Sequence, residues 1–227
     1  MDRDQRANLE WRDGAIPVSK QFDDPYFSIE NGLEETRFVF LQGNQLPTRF
    51  APGFHIAELG FGTGLNMLAA LLSWRDANIE GPLRFTSFEA FPMEAPDIKR
   101  ALEAFPEAAS IAGSFLEQWS KGQRQIVTDD LIATICIGDA RDTLNTWDHS
   151  ADAWFLDGFS PAKNPELWGA DLMTEVARHT KPNGTAATYT AAGFVRQGLS
   201  EAGFTVSRIK GYGRKRHMTI AHLDPQA

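Results

Sequence analysis

The chain has 227 residues, 42% hydrophobic, 23% charged and 11% aromatic, enough for one domain with a substantial core and too apolar for a disordered chain. A single cysteine, Cys136, excludes an internal disulfide framework and a multi-cysteine metal site, and no apolar run approaches the roughly 20 residues that cross a bilayer. The net charge of −8 argues against a general nucleic-acid binder, yet residues 176–217 carry eight Lys/Arg and one acid, a local +7.

In chain order, Met1 to Arg6 has no apolar segment behind it and does not read as a signal peptide, so a reducing, cytoplasmic setting is expected. The first fifty residues are mixed and turn-rich, with Asp23-Asp24-Pro25 and Glu30-Asn31-Gly32, and residues 37–41 are too short to type by periodicity. Residues 54–59 read as a buried strand, and residues 65–74 as a helix with an apolar stripe from Leu65 to Trp74. A strand is expected over 83–88. Residues 94–119 read as helical in two pieces, broken near Phe105-Pro106 because proline disfavours helix in the residue before it. A strand over 131–137, a short helix over 142–147 and a strand over 152–157 follow. Asn164 opens a helix with Pro165 in its first turn, running to about Arg178. Residues 181–184 form a turn into a strand over 185–190, then a helix over 194–202 stopped by Gly203, and strands over 205–209 and 218–223.

Strands alternating with helices predict an α/β fold with a mostly parallel sheet, and the last two strands, with no helix between them, predict an antiparallel hairpin. The expected organisation is an N-terminal extension, residues 1–52, packed on one globular unit, residues 53–227.

Between the first strand and its helix lies Glu58-Leu59-Gly60-Phe61-Gly62-Thr63-Gly64. Glycines there permit a tight turn and close approach of backbone to a ligand. The dinucleotide pattern G-x-G-x-x-G would need glycine at 65, where Leu65 stands, so a nicotinamide cofactor is disfavoured. Glu89 ends the second strand, where a carboxylate accepts hydrogen bonds from ribose hydroxyls, while Asp139, followed by Ala140, is placed to meet an adenine amino group. Asp157 ends the fourth. Three successive strands ending in acids beside a glycine loop resemble a Rossmann-like S-adenosyl-L-methionine methyltransferase.

The stretch from Asp157 to Trp168 resembles, loosely, the loops with which amino-group methyltransferases hold the accepting nitrogen. Methyl transfer from a sulfonium needs a free, aimed amine lone pair, and Asp157 is the candidate to orient the amine and take its proton. Phe159 or Trp168 is the candidate aromatic wall, with core packing the alternative for Trp168 and a helix cap the alternative for Asn164. The five histidines have no metal-ligand spacing.

Longer motifs carry a more specific resemblance: Pro25-Tyr26-Phe27-Ser28, Asn31 to Arg37, Gly43-Asn44-Gln45-Leu46, Gly60 to Asn66, Asp152 to Trp168, Ala192 to Arg196 and Gly211 to Arg216. They are similar to the tRNA 5-methylaminomethyl-2-thiouridine methyltransferase family, over nearly the whole chain. The resemblance implies methylation of an aminomethyl group on wobble-position 2-thiouridine, with S-adenosyl-L-methionine as cofactor and no FAD in this chain. It implies cofactor contacts at Glu58, Gly60, Phe61, Gly62, Thr63, Gly64, Asn66, Glu89, Asp139, Ala140 and Asp157. Substrate contacts are expected at Phe159, Pro161, Lys163 and Asn164, and contacts to anticodon-arm phosphates at Arg214, Lys215 and Arg216. Where the family often has a lysine after the second strand's acid, this chain has Ala90. An FAD-dependent oxidoreductase, fused in bifunctional members, would prepare the amine, and the chain stops where that domain would begin. The expected protein is a stand-alone methyltransferase or a piece of a bifunctional one, with no membrane partner. Two other readings are a same-fold enzyme acting on a small amine, such as an aminopropyltransferase, and a catalytically silent RNA- or protein-binding module.

Overall fold

The computed structural model describes residues 6–28 and 31–225. Residues 1–5, Glu30 of the early turn and the last two residues lie outside that description. Among the described residues the chain begins with three short antiparallel strands, β1 (Leu9–Arg12), β2 (Ile16–Ser19) and β3 (Asp24–Pro25). Helix α1 (Gly32–Thr36) follows, its N-terminus capped by Asn31, whose side chain accepts from the Glu34 amide. It runs directly into a π-helical turn over Arg37–Leu41, the stretch too short to type from sequence.

The main sheet alternates as expected: β4 (His55–Leu59), α2 (Leu65–Asp76), β5 (Leu83–Glu89), α3 (Ala95–Leu102), α4 (Pro106–Ile111), α5 (Gly113–Ser120), β6 (Gln125–Val127), β7 (Leu131–Ile137), α6 (Ala140–Thr143), β8 (Ala151–Leu156), α7 (Ala170–Arg178), β9 (Thr180–Thr188), α8 (Gly193–Glu201), β10 (Phe204–Lys210) and β11 (His217–Leu223). Their order in the sheet is β10-β11-β9-β8-β4-β5-β7-β6. Strands β4, β5, β7, β8 and β9 are parallel, while β11 pairs antiparallel with both β9 and β10. The fold is therefore α/β, mostly parallel, with an antiparallel C-terminal hairpin.

Successive strand residues face opposite sides, so each central strand feeds two cores. In β8, Ala153 and Phe155 join the core beneath α2, whereas Trp154 and Leu156 join the core beneath α7 and α8. Helix α2 is buried around most of its circumference, from Leu65 through Leu71 and at Trp74, because the N-terminal segment covers the side turned away from the sheet. Val39, Phe40 and Leu41 enter that core, with Phe40 stacked on Phe155 at 5.3 Å. Asn44 stitches the segment to the sheet through bonds to the Phe40 and Trp154 carbonyls.

Four sequence expectations need correction. Residues 94–119 form three helices, because Gly113 starts a new one after the break at Phe105-Pro106. Residues 164–178 are a 3₁₀ turn (Pro165–Trp168) and α7, separated by Gly169 in extended backbone (φ −66°, ψ 151°). The residues expected as a turn at 181–184 sit inside β9 as an irregularity, with pairing jumping from Ala151↔Thr180 to Ala153↔Thr185. The helix expected at 142–147 starts earlier, at Ala140, because Asp139 caps it, and its end tightens to a 3₁₀ turn over Leu144–Thr146. The short edge strand β6 carries no sequence signal beyond Ile126 and Val127.

Candidate active site

Strand order reverses at β4, with β5 and β7 on one side and β8 on the other, so a crevice opens at the carboxyl ends of β4 and β8. The loops leaving these two strands nearly touch. A Cβ on Gly60, which sits at φ +80°, would lie 3.1 Å from the Gly158 Cα. Gly62, at φ +53°, has the Tyr26 ring 3.2 Å from where its Cβ would be. Neither position accepts a side chain without displacing the crevice wall.

Three carboxylates gather here, two of them joined by one amide. The Asn66 amide nitrogen donates to Glu58 Oε1 and to Asp157 Oδ2, both at 2.8 Å, while its oxygen accepts from Thr36 Oγ1 at 2.7 Å. Two acceptor-only carboxylates on one side and a hydroxyl donor on the other fix which way the amide faces. Ser87 donates to the other Glu58 oxygen at 2.6 Å, and the Gly158 amide donates to Asp157 Oδ1 at 2.8 Å. Glu89 accepts the Gly62 amide at 2.9 Å and the Phe91 amide at 2.7 Å. Burial drives the Asp157 carboxyl up to about 6, against the bonds from Asn66 and Gly158 that lower it. Burial also pushes Glu58 well above the usual carboxylate range and raises Glu89. Each of these groups is satisfied by neutral donors, which leaves a crevice chemically disposed toward a positive ligand.

The loop after β8 is held from three directions. Trp168 is buried and donates its indole N–H to the Phe159 carbonyl at 2.9 Å, and the Tyr189 hydroxyl donates to the Gly158 carbonyl at 2.8 Å. From the N-terminal segment, Asp24 accepts the Ser160 amide at 2.8 Å, and Lys163 donates to the Asp23 carbonyl. The Phe159 ring stacks on Phe22 at 4.6 Å and meets the edge of Tyr26 at 5.0 Å. Trp168 is thus core that shapes the loop, and Phe159 is the aromatic residue of this loop on the cavity wall.

The cavity has a volume of about 950 Å³, the upper end of the range for small-molecule sites. The structure brings Gly60, Phe61, Gly62, Thr63 and Asn66 of the first loop and helix to its wall, together with Glu89, Asp139 and Ala140. Asp157, Phe159, Lys163, Asn164 and Lys215 also line it. Asn164 precedes the 3₁₀ turn but makes no capping bond with its side chain. Asp139 faces the cavity while its carboxylate is paired with Arg141, which holds it below the usual range. Five expected site residues are not on the wall. Glu58 is fully buried behind Asn66; Gly64 is the left-handed residue opening α2; Pro161, Arg214 and Arg216 lie outside the lining. Wall residues not singled out from sequence chemistry include Phe22, Tyr26, Glu35, Thr36 and Tyr189.

This donor set fits S-adenosyl-L-methionine. Glu89 keeps lone pairs for hydroxyls after accepting two amides, the glycine cradle admits a close ligand, and the buried carboxylates suit a cation. Among the described residues no helix is long and apolar enough to cross a membrane, and no group of three His, Cys, Asp or Glu is arranged to hold a metal ion.

Residues 106–224 match the model of a family described as S-adenosyl-L-methionine-dependent methyltransferase, and the chain belongs to that family. At the level of the particular protein, it is similar to MnmC2 from Aquifex aeolicus, with 26% identity and a TM-score of 0.75, covering 98% of this chain and 74% of that one. It also shares its fold with spermidine synthase from Thermotoga maritima (12% identity, TM-score 0.57, 97% of this chain and 73% of that one) and a methyltransferase from Pyrococcus furiosus (16% identity, TM-score 0.51, 96% and 89%).

Proposed function

We propose that this protein methylates the aminomethyl nitrogen of 5-aminomethyl-2-thiouridine at the wobble position of tRNA, giving 5-methylaminomethyl-2-thiouridine. The observation that carries the reading is Asp157, a half-buried carboxylate fixed by Asn66 and Gly158 on the wall of a cavity with room for the cofactor and a second ligand. The motif resemblance and the similarity to MnmC2, the methyltransferase part of MnmC, favour this acceptor over other amines.

Bound S-adenosyl-L-methionine supplies an electrophilic methyl on a sulfonium. Residues 60–63, Asn66, Glu89, Asp139 and Ala140 would hold it, and Gly64 and Glu58 act by shaping the loop and fixing Asn66. Asp157 accepts an N–H of the amine, which turns the nitrogen lone pair away from the carboxylate and fixes its direction. With its carboxyl pushed up to about 6, Asp157 is a stronger base than an ordinary aspartate and is still ionised at neutral pH. The proton released as the N–C bond forms and the C–S bond breaks passes to Asp157 or through it to water. Phe159 and Asn164 border the acceptor, with Lys163 and Pro161 shaping the loop behind them. Arg214 and Arg216 are the proposed phosphate contacts. An FAD-dependent oxidoreductase, on this or another chain, is the proposed source of the amine.

The Asp157→Asn variant tests the assignment. It keeps the side chain's shape but not its charge, so S-adenosyl-L-methionine should still bind, about tenfold or more weakly, while methyl transfer to tRNA carrying the aminomethyl nucleoside, measured at saturating cofactor, falls by about 100-fold or more, the scale of general-base removal. Unchanged turnover in that variant removes Asp157 from the mechanism.

A further inference from the structure

Lys215 belongs to the basic β10–β11 loop, and its side chain, itself 46% exposed, reaches the rim of the cavity. Its ammonium lies 2.7 Å from Glu35 Oε1 and 4.3 Å from the centre of the Tyr189 ring, and all three residues line the cavity that Asp157 lines. Glu35 and Tyr189 bracket Asp157 through the chain. Glu35 precedes Thr36, which bonds to Asn66 and so to Asp157; the Tyr189 hydroxyl bonds to the carbonyl of Gly158, the next residue along. A carboxylate with its side chain 13% exposed, facing an aromatic ring, is a receptor for a primary alkylammonium. Lysine's R–CH₂–NH₃⁺ and a protonated aminomethyl group are the same chemical class.

We propose that Glu35 and Tyr189 form the subsite that selects a primary ammonium acceptor, and that Lys215 is its built-in placeholder in the free protein. This rests on the reading of the acceptor as a primary amine, and it reassigns Lys215 from phosphate contact to substrate site. Exchange of one ammonium for another keeps Glu35 paired throughout, avoiding an isolated carboxylate in a poorly hydrated position. Glu35 thereby admits the incoming amine as a cation and passes it to Asp157, which takes one proton from it and releases that proton to water before methyl transfer frees a second. Arg214, Lys215 and Arg216 are all exposed, so nucleic acid engaging this loop would also draw the placeholder out.

Benzylamine, an aminomethyl group on a six-membered ring, is the probe, with its affinity for the full chain measured by calorimetry. If Lys215 vacates its place in about a tenth of molecules, Lys215→Met should bind benzylamine about tenfold more tightly than wild type. Lys215→Gln, a second variant that also lacks the charge, should gain similarly, and adding Glu35→Gln to either should abolish the gain. Equal affinity in wild type and both Lys215 variants overturns the proposal, as does a gain that survives Glu35→Gln. Methyl transfer to tRNA is measured separately on wild type. Its absence together with the binding gain would overturn the substrate reading and keep the subsite, whereas its presence without the gain would overturn the subsite alone.

Discussion

Protonation of Asp157 should make the protein distinguish its cofactor from the spent cofactor in a pH-dependent way. In the free protein burial holds this carboxyl at about 6. S-adenosyl-L-methionine carries a sulfonium charge that its thioether product, S-adenosylhomocysteine, lacks. A nearby cation favours the charged form of a carboxyl, so in the cofactor complex Asp157 should titrate well below its free value. The sign follows directly. Above the free value Asp157 is ionised with or without ligand, and affinity is flat. Below it, binding the cation must expel a proton, and affinity falls. At about pH 5, below the free value of about 6, most of the free protein carries the proton, so affinity should be about tenfold weaker than at about pH 7.5, or about 1.4 kcal/mol. The thioether has no charge to expel the proton, and its affinity should not fall in the same way. Ribose, adenine and amino-acid contacts are common to both ligands, so the ratio of their dissociation constants isolates the group at sulfur. Calorimetric titrations of both ligands at the two pH values, on wild type and Asp157→Asn, would measure it. A ratio independent of pH in wild type would refute the placement of Asp157 beside the reacting centre, as would a ratio that varies identically in the variant.

Two other outcomes follow from the same geometry. Asn66→Ala should destabilise the fold by about 2–4 kcal/mol, because it strips a bond from buried Glu58, from Asp157 and from the Thr36 hydroxyl at once, and chemical denaturation would measure the loss. Replacing Arg214 and Arg216 with Gln should weaken tRNA binding and flatten the slope of log affinity against log salt by up to about 2, while leaving cofactor affinity unchanged; binding isotherms at several salt concentrations would show it.

The frame of the fold was legible because each central strand is a short apolar run closed by glycine or an acid, and each helix between carries its own apolar stripe or cap. The strand from Leu131 to Ile137 has the limits its sequence predicts. What escaped is what local pattern does not encode. Edge strand β6 is held by its partner, and the N-terminal strands are too short for periodicity to separate from turns. The site divides in the same way. Gly60, Glu89, Asp139 and Asp157 stand at strand ends, where topology alone carries a residue to the cavity wall. Glu58 has the same kind of position, but its side chain points under α2, where Asn66 closes it off from the cavity. Tyr26, Glu35 and Thr36 reach the wall across more than 120 residues of chain from Asp157. Their segments are within the motifs that resemble the family, yet nothing in their spacing shows that they meet the loop after β8.

The most direct measurement uses S-adenosyl-L-methionine labelled with deuterium in its methyl group and tRNA carrying 5-aminomethyl-2-thiouridine. After digestion, mass spectrometry should find one labelled methyl on that nucleoside, with fragmentation placing it on the side-chain nitrogen. Label on the base, on the ribose or on another nucleoside, or no label while the protein demonstrably binds the cofactor, would contradict an acceptor amine held at Asp157.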